Sequence, residues 1–156
     1  MRCVAVMVTG ALLAACAPAE GERVPTDAAL DAMLAAALMQ EPPLDDREAV
    51  CLSASLAPGE KLNDPPASAL RAFARLTDLP ILPGSQCGFD VYPFVIASGA
   101  KAMIYTVEVE AVSATGEMTF WGHATFGNLG AKGQQFVLRK VGEKWVARPT
   151  GVSVIS

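Results

Sequence analysis

The feature that most constrains the fold is a two-residue alternation in the last third of the chain, on either side of residues 113–116. If these residues form a turn, one face pairs apolar or small side chains: Val109 with Phe120, Val107 with Gly122, Tyr105 with Ala124 and Met103 with Phe126. The other face pairs Glu110 with Thr119, Glu108 with Trp121 and Thr106 with His123. A shift by one residue would bury the polar face, so the pattern predicts an antiparallel hairpin of defined register.

A second hairpin is expected after the first. Gly142 begins a two-residue turn of the kind that favours glycine at its first position, and this turn joins residues 135–141 to residues 144–148. The side chains expected on one face are those of Phe136, Leu138, Trp145 and Ala147. If residues 152–155 continue the sheet, the last third of the chain forms a four- or five-stranded antiparallel meander.

The first half of the chain has helical and strand signals. Thr26 and Asp27 are typical of a helix start, and Pro42 must end that helix; its apolar stripe consists of Leu30, Met33, Leu34, Ala37 and Leu38. Residues 48–56 alternate as a strand does. A second helix is expected to begin at Asp64 and Pro65, with a buried face of Leu70, Phe73, Ala74 and Leu76.

These elements predict an α+β fold in which two N-terminal helices, with one strand between them, pack on the C-terminal meander. Residues 80–87 contain Pro80, Pro83 and Gly84 and are expected to be irregular. The element order loosely resembles the curved-sheet cones of the nuclear transport factor two-like superfamily and of cystatin-like domains, mainly through the tail 135–156. Such folds host enzymes, binders and inert modules alike, so the resemblance implies no particular function.

The first residues have the pattern of an export signal. Arg2 precedes a short apolar run that is interrupted by Thr9 and Gly10, which is too short to span a membrane. The run ends in Leu13-Ala14-Ala15-Cys16, which resembles the lipobox of bacterial lipoproteins. The alternative is an ordinary secretory signal with a cysteine nearby.

The lipobox resemblance implies cleavage before Cys16, lipidation of that cysteine and anchoring of the chain to a membrane. Residues 1–15 would be the signal peptide, residues 16–25 a short flexible tether and residues 26–156 a single domain. Because Ala17 follows Cys16, where an Asp would mark inner-membrane retention in enteric bacteria, we expect the periplasmic face of the outer membrane if the cell has one.

The predicted export and lipidation leave two cysteines for other roles. Cys3 is lost with the signal and Cys16 is used for the lipid, which leaves Cys51 and Cys87. In an exported protein two remaining cysteines are expected to form a disulfide. The alternative, a reactive or metal-binding thiol pair, has little support because the two are far apart in sequence and the chain has one histidine.

Composition and motifs exclude several function classes. A formal net charge of -4 argues against nucleic acid as a partner. The chain has no recognisable catalytic, cofactor-binding or metal-binding motif. Gly127, Gly130 and Gly133 are expected to form a flexible loop between the two hairpins and not a phosphate-binding loop, because no helix follows them.

Three hypotheses for function remain. The one we favour is a non-catalytic envelope lipoprotein that binds an envelope protein or component. The second is a small-molecule binder with a cavity lined by Met103, Tyr105, Phe120, Phe126, Phe136 and Trp145. The third is an enzyme that uses Glu108 and His123 as an acid/base pair beside Trp121.

Overall fold

The computed structural model describes residues 26–127 and 130–156, so the predicted signal segment, the tether and Cys16 lie outside the described residues. The helices are α1 (Asp27–Gln40), α2 (Ala67–Phe73) and a short 3-10 helix (Gly84–Gln86). The strands are β1 (Ala49–Ser55), β2 (Ile81–Pro83), β3 (Cys87–Phe89), β4 (Pro93–Val95), β5 (Ala102–Val112), β6 (Met118–Gly127), β7 (Gly130–Val141) and β8 (Lys144–Ile155).

The main sheet has six strands in the order β2-β1-β5-β6-β7-β8. Strands β5 to β8 form an antiparallel meander, while β1 runs parallel to both of its neighbours, β2 and β5. The α+β class is therefore confirmed, but the strand count is not, because β1 and β2 extend the four-stranded meander into a mixed sheet. The element order also differs from the expected one, since three short strands and a 3-10 helix lie between α2 and the meander, and α2 is not N-terminal.

Strand β1 joins the sheet because both of its faces find apolar partners. Val50, Leu52 and Ala54 belong to the core beneath α1, whereas Ala49 and Cys51 belong to a second, smaller cluster on the opposite face. A strand buried on both faces is typical of parallel pairing in the middle of a sheet. The alternation of residues 48–56 predicted the strand, but it did not predict that other residues also cover the opposite face of that strand.

Helix α1 forms as expected. The Thr26 hydroxyl accepts a hydrogen bond from the Ala29 amide (3.3 Å) and caps the helix, and the helix ends at Gln40 before the two prolines. All five residues of the predicted stripe are buried against the sheet. The helix position is fixed further at its end, where the Tyr105 hydroxyl donates to the Glu41 carbonyl oxygen (2.5 Å).

The start of α2 differs from the prediction. The helix begins at Ala67, and Pro66 occupies the cap position without a side-chain hydrogen bond. Asp64 accepts instead from the backbone and hydroxyl of Ser85 (2.8 and 2.6 Å), so its carboxylate ties this loop to the 3-10 helix. Of the predicted buried face, Phe73 is buried, but Ala74 and Leu76 are exposed because the helix ends at Phe73.

The predicted register of the first hairpin is confirmed over most of its length. Tyr105, Val107 and Val109 pair with the expected residues of β6, and so do Thr106 and Glu108. The Glu110–Thr119 pair was wrong, because a bulge after Val109 leaves Glu110 out of the ladder and places Ala111 opposite Thr119.

The expected glycine loop is largely strand. Gly127 pairs with Gly130, and Gly133 lies within β7 opposite His123. A Cβ atom at Gly133 would overlap Nδ1 of the His123 ring and would lie 2.8 Å from Cε1 of that ring and 2.9 Å from Cγ2 of Val154. Glycine at this position lets the imidazole lie across the neighbouring strand, so Gly133 serves packing and not loop flexibility.

The second hairpin is confirmed, with Gly142 at positive φ (60°) in its turn and Leu138 opposite Ala147. Strand β8 continues to Ile155, as expected for residues 152–155. Its pairing with β7 shifts in register between Gln134 and Phe136 of β7.

Candidate functional site

A two-stranded ribbon lies over the face of the sheet opposite α1. It consists of β3 and β4, paired antiparallel from Cys87–Val95 to Phe89–Pro93. The structure contains a disulfide between Cys51 in β1 and Cys87 at the start of the ribbon, with the two Cα atoms 6.4 Å apart. The ribbon is therefore linked covalently to a central strand of the main sheet.

Non-covalent contacts hold the inner side of the ribbon. Val95 is buried beside Cys51 and Ala102, in the small apolar cluster that is separate from the main core. The Ile96 amide donates to the Gln86 carbonyl oxygen (2.9 Å), and the Val95 amide donates to the Ala100 carbonyl oxygen (2.9 Å).

Four apolar side chains of the ribbon are exposed. The exposed fractions are 48% for Phe89, 60% for Val91, 39% for Tyr92 and 61% for Ile96. Single exposed apolar residues are ordinary, but four within eight positions are a concentration that favours an interaction site. The register places Phe89, opposite Pro93, on the same side of the ribbon as Cys87 and Val95, and the alternation of side chains places Ile96 on the other side. We call these four residues the ribbon patch.

Charged groups border the ribbon patch. The Lys101 ammonium lies 5.4 Å from the centre of the Tyr92 ring and 3.2 Å from a carboxylate oxygen of Asp46. The hydrogen bond with the Lys101 ammonium is the main cause that lowers the pKa of the Asp46 carboxyl below its usual value. The Tyr92 ring is thereby held by a cation on one side, and its position is less free than that of an isolated surface tyrosine.

The ribbon and the start of the domain lie at opposite ends of the strands. Thr26 shares a pocket of about 640 Å³ with the turn between β5 and β6 and with Lys140 and Trp145. The ribbon instead contacts the start of β5, because Phe94 forms a β-bridge with Lys101, just before that strand begins. Because β5 has 11 residues, the two ends are separated by about 35 Å.

Glu108 and His123 also lie on the sheet face opposite α1. The His123 ring stacks on the Trp121 ring with centroids 5.7 Å apart and an angle of 14° between planes. Glu108 Oε1 lies 4.0 Å from His123 Nε2, beyond hydrogen-bond distance, and both side chains are partly exposed. The structure thus brings the predicted acid/base candidates and the aromatic ring together on an open face without a hydrogen bond between them.

The environment of His123 favours its neutral form. Partial burial lowers the pKa of His123 below its usual value, and the nearby Glu108 carboxylate opposes this shift more weakly. An imidazole held neutral above a glycine and beside an indole resembles a packed surface residue more than an activated base.

The six aromatic and methionine residues proposed as cavity lining pack mostly against protein. Met103, Tyr105, Phe120 and Phe136 are buried in the main core, while Phe126 and Trp145 pack at its border. The Phe120 and Phe136 rings stack with centroids 5.1 Å apart. Burial and the Glu41 carboxylate raise the pKa of Tyr105, which keeps its hydroxyl a hydrogen-bond donor to α1.

Within residues 26–127 and 130–156 no group of three metal-ligating side chains occurs. No helix in the same part of the chain is long and apolar enough to cross a membrane.

The ribbon patch is the feature that reasoning from the sequence missed. Its signal was present in the segment GFDVYPFVI (residues 88–96), which is rich in aromatic and β-branched residues although prolines interrupt its surroundings. The prolines and glycines before Cys87 were interpreted as a break in the chain, and no local pattern indicated a tertiary cover for β1.

Comparison of this chain with protein-family models, with curated proteins and with solved structures gives no significant match.

Proposed function

We propose that this chain is a lipid-anchored protein of a bacterial cell envelope, and that its domain is a non-catalytic module that binds another envelope protein through the ribbon patch. The observation that carries the binding part is the exposure of Phe89, Val91, Tyr92 and Ile96 on a ribbon that a disulfide attaches to the sheet. A rigid apolar surface loses little conformational entropy when it binds, so it suits a docking role.

The anchor is tested by mass spectrometry of the mature N-terminus. We expect a first residue of Cys16 carrying a diacylglyceryl thioether and an N-acyl group, and we expect the Cys16→Ser variant to remain unlipidated. An unmodified Cys16 within an uncleaved or differently cleaved chain would refute anchoring, whatever the domain binds.

The binding surface is tested by site-specific photocrosslinking in intact cells. A photoreactive residue at Val91 should give a reproducible adduct, and the same residue at Met39, which is 83% exposed on α1 across the sheet from the ribbon, should not. Phe89→Ser with Ile96→Ser should abolish the adduct, because the two substitutions remove exposed apolar side chains of the ribbon patch. Equal adducts at both positions, or an adduct that survives the double substitution, would refute the assignment.

A further inference from the structure

The last residues of β8 form an unprotected sheet edge. Among residues 26–127 and 130–156, strand β8 is the outermost strand on its side of the main sheet, and β7 is its single neighbour. The exposed fractions near its end are 50% for Val152, 52% for Val154 and 78% for Ile155. An edge of this kind presents unpaired backbone groups and β-branched side chains together, which favours pairing with another strand.

The hydrogen bonds to β7 show which backbone groups are free. Ser156 and Ala131 exchange two backbone hydrogen bonds of 3.0 Å, so the amide and carbonyl of Ser156 point towards β7. The direction of the backbone groups alternates along an antiparallel ladder, so the amide and carbonyl of Val154 point towards β7 as well. The amide and carbonyl groups of Ser153 and Ile155 face outwards.

The other edges of the sheet carry the usual protection. Strand β2 has three residues and includes Pro83, and the first half of β8 contains Lys144, Arg148 and Pro149. By contrast, residues 150–156 contain no charged residue and no proline. Lys132, which pairs with Ile155, is neutralised by the Glu41 carboxylate at 2.5 Å.

From these observations we infer that a second copy of this chain binds at the β8 edge, with the two strands antiparallel about a twofold axis at Val154. In this register Ser153 of each copy faces Ile155 of the other, and each such pair forms two backbone hydrogen bonds from the outward-facing groups. Val154 faces its own symmetry mate across the closely spaced, non-hydrogen-bonded position. The result is one continuous sheet through both copies.

A second copy fits this edge better than an unrelated strand for two reasons. The twofold register uses every outward group of Ser153 and Ile155 and places identical valines in contact, so the edge is self-complementary. The segment is also free of charge, which matters because the whole chain carries a net charge of -4 and would repel a copy approaching through an acidic surface. Because the paired segment is short, the interface is smaller than the about 1,200 Å² of stable complexes, and the dimer is weak.

The test measures the dissociation constant of the full chain in mild detergent, by light scattering after size exclusion at protein concentrations up to about 1 mM. We expect Val154→Lys and Val154→Glu each to weaken the wild-type dimer at least tenfold, since like charges would then face each other across the axis. An equimolar mixture of the two variants should form a heterodimer in native mass spectrometry. Leu62→Lys, at an exposed site away from β8, is the control and should dimerise as the wild type does.

The mixture keeps the test decisive, because a variant that had misfolded would not recover pairing with its oppositely charged counterpart. Ser153→Pro is a second probe, since it removes an outward amide that bonds to nothing in β7 and should abolish the dimer. A wild-type chain that stays monomeric at every concentration, variants that dimerise normally, or a mixture without heterodimer would overturn the inference.

Discussion

Removal of the Cys51–Cys87 disulfide should destabilise the domain by about 4 kcal/mol. The bond closes a loop with a sequence separation of 36, and the chain-entropy model gives about 4 kcal/mol for a loop of that length. This is a large part of the about 5–15 kcal/mol that a small domain has in total. Cys51 is fully buried, so its replacement by alanine adds a small packing loss.

The loss should also be uneven across the molecule. The ribbon is attached by the disulfide and by a small cluster that includes Val95, whereas α1 and the meander share the larger core. We therefore expect the ribbon to open locally in the double alanine variant while the main sheet stays folded in water. The yield of the photocrosslink at Val91 should fall in the same variant.

The assay is urea unfolding of Cys51→Ala/Cys87→Ala, compared with the intact protein in a background in which Cys3 and Cys16 are serine. Fluorescence of Trp121 and Trp145 reports on the meander, because both lie outside the ribbon. Hydrogen exchange of the Ile96 amide, which bonds to Gln86, reports on the ribbon itself. A loss of less than about 1 kcal/mol, or unchanged Ile96 protection, would refute the reasoning.

Three further predictions concern the main sheet. Tyr105→Phe should cost about 1–2 kcal/mol in urea unfolding, because it leaves the Glu41 carbonyl without its buried donor; a cost near zero would show that water replaces the hydroxyl. Gly133→Val should destabilise the domain by about 1–3 kcal/mol, since its side chain meets the His123 ring, and Gly133→Val combined with His123→Ala should recover much of that loss. The folded pKa of His123 lies below its unfolded value of 6.5, so the unfolded chain binds the proton more readily and the domain should lose stability as the pH falls through about 6.5. His123→Gln should flatten this dependence in urea midpoints, and an NMR titration that gave a His123 pKa above 6.5 would contradict the sign.

Local patterns were sufficient for several elements. The stripe of α1, the cap at Thr26 and most of the first hairpin could be predicted because each depends on neighbouring residues or on one turn. The bulge at Glu110 could not, because the alternation of the sequence continues through this residue; in the structure the amide of Gln135 in β7 donates to the Glu110 carboxylate (2.6 Å).

The candidate site was less predictable than the fold. Glu108 and His123 could be placed on one face from the hairpin register alone, but whether they form a hydrogen bond depends on where the His123 ring packs, and that depends on Gly133 in the next strand. The ribbon patch could not be predicted, because its position depends on the apolar cluster beneath the ribbon, which joins residues far apart in the chain. No periodicity in residues 88–96 distinguishes a ribbon held by a distant cysteine from an irregular loop.

The sequence by itself determined the α+β class, most of the register of the two hairpins and the two cysteines that form the disulfide, whereas the export and anchoring signals remain predictions. These follow from covalent order and from periodicity over a few residues. Only the tertiary structure decided that β1 enters the sheet beside β5, that the ribbon covers its second face and that the end of β8 is left as an open edge. Those outcomes depend on contacts between segments far apart in the chain, where the burial of one surface by another, and not local preference, sets the free energy.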